Sequence, residues 1–208
     1  MPVVSDKGGG EFQKPKPGAF PARCVQIIDL GTHRETFAKS RKEKLIRKVR
    51  IGWELPTQKA TFDEEKGEES FVIGQDYTQS LGERANLRIM LESWRGRAFT
   101  ADELQGFDLK VLLGKACFLN IIHKKSETTK REYAQVTSVM KLPEGVTCPK
   151  ATMPKVIYDI DQGETGSFSQ LSEYLQNRIK ESEEWRDHPV ETKPATSAET
   201  DPDDDDVF

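Results

Sequence analysis

Two stretches of this chain interleave cations with aromatic rings, the side chains that neutralise phosphates and stack on bases. The first runs through Arg34, Phe37, Lys39, Arg41, Lys42 and Lys44 and continues into Arg47, Lys48 and Arg50. The second holds Lys124, Lys125, Lys130 and Arg131, with Tyr133 just beyond them. Lysine and arginine release counterions from a polyanionic backbone, and an aromatic ring is worth roughly 1–3 kcal/mol per stacked base. Phe37, inside a charged loop, is the foremost ring, and Tyr133 is next. Trp53, Tyr77 and Phe118 are further candidates; Trp53 shares a parity with Val49, Ile51 and Leu55 and suits a core equally well. Bond-making chemistry finds no foothold. There is no glycine-rich phosphate loop, nucleophile elbow or H-E-x-x-H. Cys24, Cys117 and Cys148 form no C-x-x-C pair, and His33, His123 and His188 lack metal-ligand spacing. The expectation is a binding protein with no catalysis, cofactor or metal.

These residues need elements to hold them. Residues 1–18, with three consecutive glycines and alternating Lys and Pro, read as a flexible arm. Phe20 to Leu30 predicts a first strand closed by Gly31. Lys44 to Leu55 predicts a second, in which Leu45, Val49, Ile51, Trp53 and Leu55 alternate with charges until Pro56. An acidic loop, Asp63 to Glu69, leads to a third strand from Phe71 to about Tyr77. Ser80 and Glu83 spell a capping box before a helix whose Leu87, Met90, Leu91 and Trp94 form one apolar stripe, with Gly96 at its exit. Thr100 and Glu103 repeat the capping signature for a short helix ending at Gly106. Lys115 to His123 and Tyr133 to Met140 predict the last two strands. Residues 141–166 read as extended. Ser167 and Gln170 spell another capping box, for a helix with a narrow apolar face of Phe168, Leu171, Leu175 and Ile179 that packs on the chain's own barrel or on a neighbouring subunit.

Three strands, a helix and two strands make the element order of the OB-fold, a mainly β, five-stranded Greek-key barrel. A small β-sandwich is the rival. The expected organisation is an arm (1–18), a barrel (19–145), an extended segment with a C-terminal helix (146–186) and a disordered linker and tail (187–208). An OB-fold binds nucleic acid across strands two and three, between the loops joining strands one to two and four to five. Both of those loops are basic here, whereas the loop between strands two and three is acidic. Lysine and arginine also populate any solvated strand face, which is the plainer explanation.

Charge is distributed unevenly. Only 35% of the residues are hydrophobic and 32% are charged, which leaves part of the chain without a core to join. The net charge is −4, yet residues 187–208 carry eight acidic side chains against Lys193 alone, a balance of −7. Residues 1–155 carry 27 basic and 20 acidic side chains, a balance of +7. A basic body with an acidic tail suits a polyanion that competes with the tail. The tail, Asp203, Asp204, Asp205, Asp206, Val207 and Phe208, ends in a ring able to enter a partner's pocket. With no signal-like or membrane-spanning run and scattered cysteines, the expected location is a reducing cytoplasm.

In this acidic run and final Phe, the chain resembles phage-encoded, prophage or plasmid single-stranded DNA-binding proteins of the OB-fold type. Leu112-Leu113-Gly114-Lys115, leading into the fourth strand, and Tyr133, opening the fifth, carry a second resemblance. Bacterial housekeeping members usually end in Ile-Pro-Phe after a long Gly/Gln-rich linker; this chain has Asp206-Val207-Phe208 and a short linker. The resemblance implies a protein that coats single strands during DNA replication, recombination or repair. It also implies a tail that recruits polymerases, helicases or nucleases, and a possible homo-oligomer in the bacterial host's cytoplasm. The alternative is an OB-like protein-interaction module whose tail mimics DNA. RNA as the ligand is a third reading.

Overall fold

The computed structural model describes residues 13–36, 43–65, 67–162 and 168–187. Six strands form one sheet: β1 (Gly18–Thr36), β2 (Glu43–Asp63), β3 (Gly67–Thr78), β4 (Ala116–Lys125), β5 (Glu132–Met140) and β6 (Val156–Tyr158). The order is β3-β2-β1-β4-β5, antiparallel throughout, with β6 added parallel to β1 at Gln26 to Ile28. This is a mainly β protein built on a curled antiparallel half-barrel of five strands, compatible with an OB-like barrel. Its long central strand pairs with β4 over Gly18 to Arg23 and with β2 from Arg23 to Thr36.

Period-two patterning explains which face of β2 is buried. Val49, Ile51, Trp53 and Leu55 all enter the barrel core with Ala22, Cys24, Cys117, Leu119 and Ile121. Helix α1 (Asn86–Arg95) lays Leu87, Met90, Leu91 and Trp94 into the same core, where the Trp53 and Trp94 ring centroids are 6.0 Å apart. Gly96 ends α1 in the left-handed region (φ 69°), where a side chain would be strained. Helix α2 (Ala101–Gln105) has the expected Thr100–Glu103 capping box.

Several sequence expectations need correction. Gly31 does not close β1; it sits at a bulge with φ 76°, and the strand continues to Thr36. Pro56 does not end β2, because a register shift between Leu55 and Lys59 accommodates the missing donor. Ser80 and Glu83 cap no helix. The Ser80 hydroxyl accepts from the Gly82 N–H in a turn, and α1 starts at Asn86 after Ala85 without a side-chain cap. Ser167 lies outside the described residues. Phe168–Gln170 is a 3-10 turn, and helix α3 (Glu173–Lys180) begins only after Ser172. The five expected strands are joined by β6.

The segment after β5 belongs to the barrel wall. Phe168, Leu171, Leu175 and Ile179 bury their apolar face against Ile28, Leu30, Tyr158 and Ile160, a second core on the outer side of β1. Burying each such side chain is worth about 1.5–3 kcal/mol. Helix α4 (Glu183–Asp187) follows, with Ser182 so close to Gly31 that an added Cβ would meet the Ser182 Cβ at 2.6 Å. Packing of this helix face on the chain's own barrel is therefore the observed arrangement.

Candidate nucleic-acid interface

The β4–β5 hairpin lies beyond the Gly18 end of β1, whereas Arg34 and Lys44 lie near its Thr36 end. Residues 13–16 run between the β2–β3 and β4–β5 hairpins: the Gln13 side chain donates to the Thr61 carbonyl (3.2 Å), and the His123 ring bonds the Pro15 carbonyl (2.8 Å). Lys14 pairs with Glu132 at 3.2 Å. The basic β4–β5 hairpin thus shares its end of the sheet with exposed Glu64, Glu65 and Glu68, while Arg34 and Lys44 lie at the far end. One ligand touching both basic loops must cross the sheet between them.

The β4–β5 hairpin is the better-defined half. The Ser126 N–H donates to the Arg131 carbonyl and the Lys130 N–H to the Ser126 carbonyl, both at 2.9 Å. Lys130 takes a positive φ of 56°, turning the chain back. Lys124, Lys125, Lys130 and Arg131 are all exposed, and Tyr133, the cross-strand neighbour of Lys124, is 45% exposed. The combination is an exposed cationic tip with a ring at its base.

Strand β2 behaves differently, because its cations are held by carboxylates from other segments. Arg47 bonds Asp29 and reaches Asp161 at 2.6 Å, contacts that raise its pKa and keep it charged despite burial. Lys48 pairs with Glu35 at 2.9 Å and Arg50 with Asp76 at 2.5 Å. The carboxylates of Asp29, Asp159 and Asp161 come within 4.8 Å of one another, the one such group among the described residues that could hold a metal ion. Arg47 bridges Asp29 and Asp161 and supplies counter-charge there, so the group works as an ion-pair knot tying the extension to β1. Arg34 is exposed beside Glu43, and Lys44 is exposed. Phe37, Lys39, Arg41 and Lys42 lie outside the described residues, as do Asp203 to Asp206, Val207 and Phe208.

Two of the candidate rings leave the list. Trp53 is fully buried and Tyr77 is 5% exposed, both in the barrel core. Phe118 is half-buried opposite Pro21 and Met140. Tyr77 still lines a cleft of about 400 Å³ between β3, β5 and α1, with Gln75, Ile89, Gln135 and Thr137.

Sequence reasoning missed that the outer face of β2 is partly roofed. Glu54, fully buried, accepts from the Thr152 N–H at 3.0 Å, the Thr152 hydroxyl at 2.7 Å and the Met153 N–H at 2.9 Å. Burial alone would raise its pKa, but these donors outweigh it and hold the carboxyl below its ordinary value of 4.5. Glu184 is held low in the same way by the N–H and hydroxyl of Thr32 (2.7 and 2.6 Å). A depressed carboxylate pKa gives stability that is complete above the unfolded value and fades as pH falls through the folded one. We therefore expect the extension to loosen from the sheet in acid before the barrel melts. Hydrogen-exchange protection at Thr152 and Met153 should fall between neutral pH and roughly pH 3 while protection in β2 and β4 persists. Equal protection at both pH values would refute the carboxylate latch.

Cys24, Cys117 and Cys148 are all buried. Burial pushes the Cys24 thiol up to about 12 and the Cys117 thiol well above its ordinary range, so neither is a thiolate near neutrality. No described helix is long and apolar enough to cross a membrane. Comparison with known protein families finds no matching family, and comparison with curated proteins finds no significant match.

Proposed function

We propose that this chain is a sequence-tolerant, non-catalytic single-stranded DNA-binding protein built on an OB-type barrel. The observation that carries this reading is the β4–β5 hairpin of the curled half-barrel, which carries four exposed cations and a half-exposed Tyr133 directly across from Lys124. Phosphates pair with the hairpin, a base stacks on Tyr133, and the strand crosses the sheet toward Arg34 and Lys44. In this reading the protein coats single strands in the cytoplasm during replication, recombination or repair, as a phage-type protein would. The run Asp203–Asp206 with Val207 and Phe208 recruits replication proteins and competes weakly with DNA for the cations.

The internal pairing of Arg47, Lys48 and Arg50 favours a second reading, a protein-interaction module that has no need of free cations on β2. One titration separates the two. Binding of oligo(dT), followed from low to high salt against a duplex of equal length, should give tighter single-strand binding and a linear fall of log affinity with log salt, about 0.7 per phosphate contact. No binding at low salt would reject the DNA reading and leave the interaction module.

A further inference from the structure

We propose that α3 contributes a base-stacking platform, the ring of Tyr174 backed by the guanidinium of Arg50, on the outer face of the sheet. The proposal rests on the single-stranded DNA reading and names a contact that reading does not contain.

The argument starts from two glycines. Gly52 of β2 and Gly74 of β3 are direct cross-strand partners, and neighbouring side chains use the space they leave: Gln26 lies over Gly52 and Arg50 over Gly74. A Cβ on Gly74 would meet the Arg50 Nε at 2.7 Å and Cζ at 2.9 Å. The guanidinium therefore lies against the Gly74 backbone, in space that only glycine leaves. Asp76, the cross-strand partner of Arg50, fixes it there at 2.5 Å. The guanidinium sits over the Tyr174 ring as a cation–π partner, with the Arg50 Cζ 5.8 Å from the ring centroid.

Tyr174 is 58% exposed, although its helix is firmly seated by buried Leu175 and Ile179. An aromatic ring carried by a packed helix has a fixed position without being used up in a core, which is what a stacking surface needs. Arg178 follows one turn later on the same side of α3. The guanidinium is planar, and Asp76 balances its charge, so it attracts a phosphate weakly and serves to back the Tyr174 ring, which keeps its exposed side for a base. Arg50 is the cross-strand partner of Ile28, midway along β1, so the site lies between the end of the sheet that carries the β4–β5 hairpin and the end that carries Arg34 and Lys44.

The test uses the full chain and oligo(dT) of fixed length. Tyr174→Ala should weaken binding about 5- to 100-fold, while the dependence on salt keeps its slope, because no charge has been removed. Tyr174→Phe should bind like the wild type. Arg50→Lys, which keeps the charge and loses the plane, should also bind more weakly at unchanged slope. Tyr174→Trp adds a direct signal: its emission should be quenched as the oligonucleotide saturates. Wild-type affinity for Tyr174→Ala, or an unquenched Trp at saturation, overturns the platform and leaves the DNA reading intact. If the wild-type chain binds no oligonucleotide at all, both fall together.

Discussion

Replacing Lys124, Lys125, Lys130 and Arg131 together by Ala is expected to lower affinity for single-stranded DNA by two to three orders of magnitude at about 0.1 M salt. The figure follows from counterion release. Four contacts at about 0.7 each contribute a slope near 2.8, which amounts to a few hundred-fold between about 1 M and 0.1 M salt. The four side chains are exposed on a hairpin closed by its own backbone bonds, so the fold should tolerate their loss. Two readouts are needed: the slope of log affinity against log salt, and the melting temperature. A flattened slope at an unchanged melting temperature supports the hairpin as the phosphate site. An unchanged slope places any nucleic acid elsewhere on the surface.

Trp53→Ala is expected to cost about 3–5 kcal/mol of stability, the range for removing a large buried aromatic. For a chain of this length that corresponds to a melting temperature lower by roughly 6–20 °C. Trp53 packs against Trp94 and is fully buried, and its indole N–H has no hydrogen-bond partner among the described residues. The loss is therefore one of packing, with no hydrogen-bond partner left stranded. Trp94 differs, because its indole donates to the Ala116 carbonyl at 2.8 Å. Denaturant unfolding measures the cost. A Trp53→Ala protein that keeps its stability but loses DNA binding would show that this ring faces a ligand after all.

The contrast between these residues shows how much the sequence could reveal. Alternation placed Val49, Ile51, Trp53 and Leu55 on one face of β2, and all four are buried there. Leu45, which opens the same alternating series, is instead 58% exposed, because the strand's first residues extend past the core. The stripe of α1 was legible because its four apolar residues meet one interior. Glu54 was not. A carboxylate at an alternating position normally faces water, and only a segment nearly a hundred residues later supplies the donors that bury it. The same distance hid the pairing of Arg47 with Asp161. Strand β6 is three residues long, too short to show any period, and its pairing with β1 is set by tertiary packing. The exposed ring of Tyr174 gave no signal, since helical periodicity marks the residues that face inward and is silent about what the outer face lies beside.

The attachment of residues 146–187 to β1 has a consequence for how the molecule comes to exist. At a synthesis pace of about 5–20 residues per second, β1 leaves the ribosome before its partners, which follow in the order β2, β4, β6, α3 and α4. The strand at the centre of the sheet is thus made before everything that covers it. Until Tyr158 and Ile179 emerge, Ile28 and Leu30 have nothing to cover them. Contacts that span so much chain are slow to form, so the nascent protein passes through an interval with an apolar strand face open to solvent. During synthesis, that face is where a chaperone would be needed.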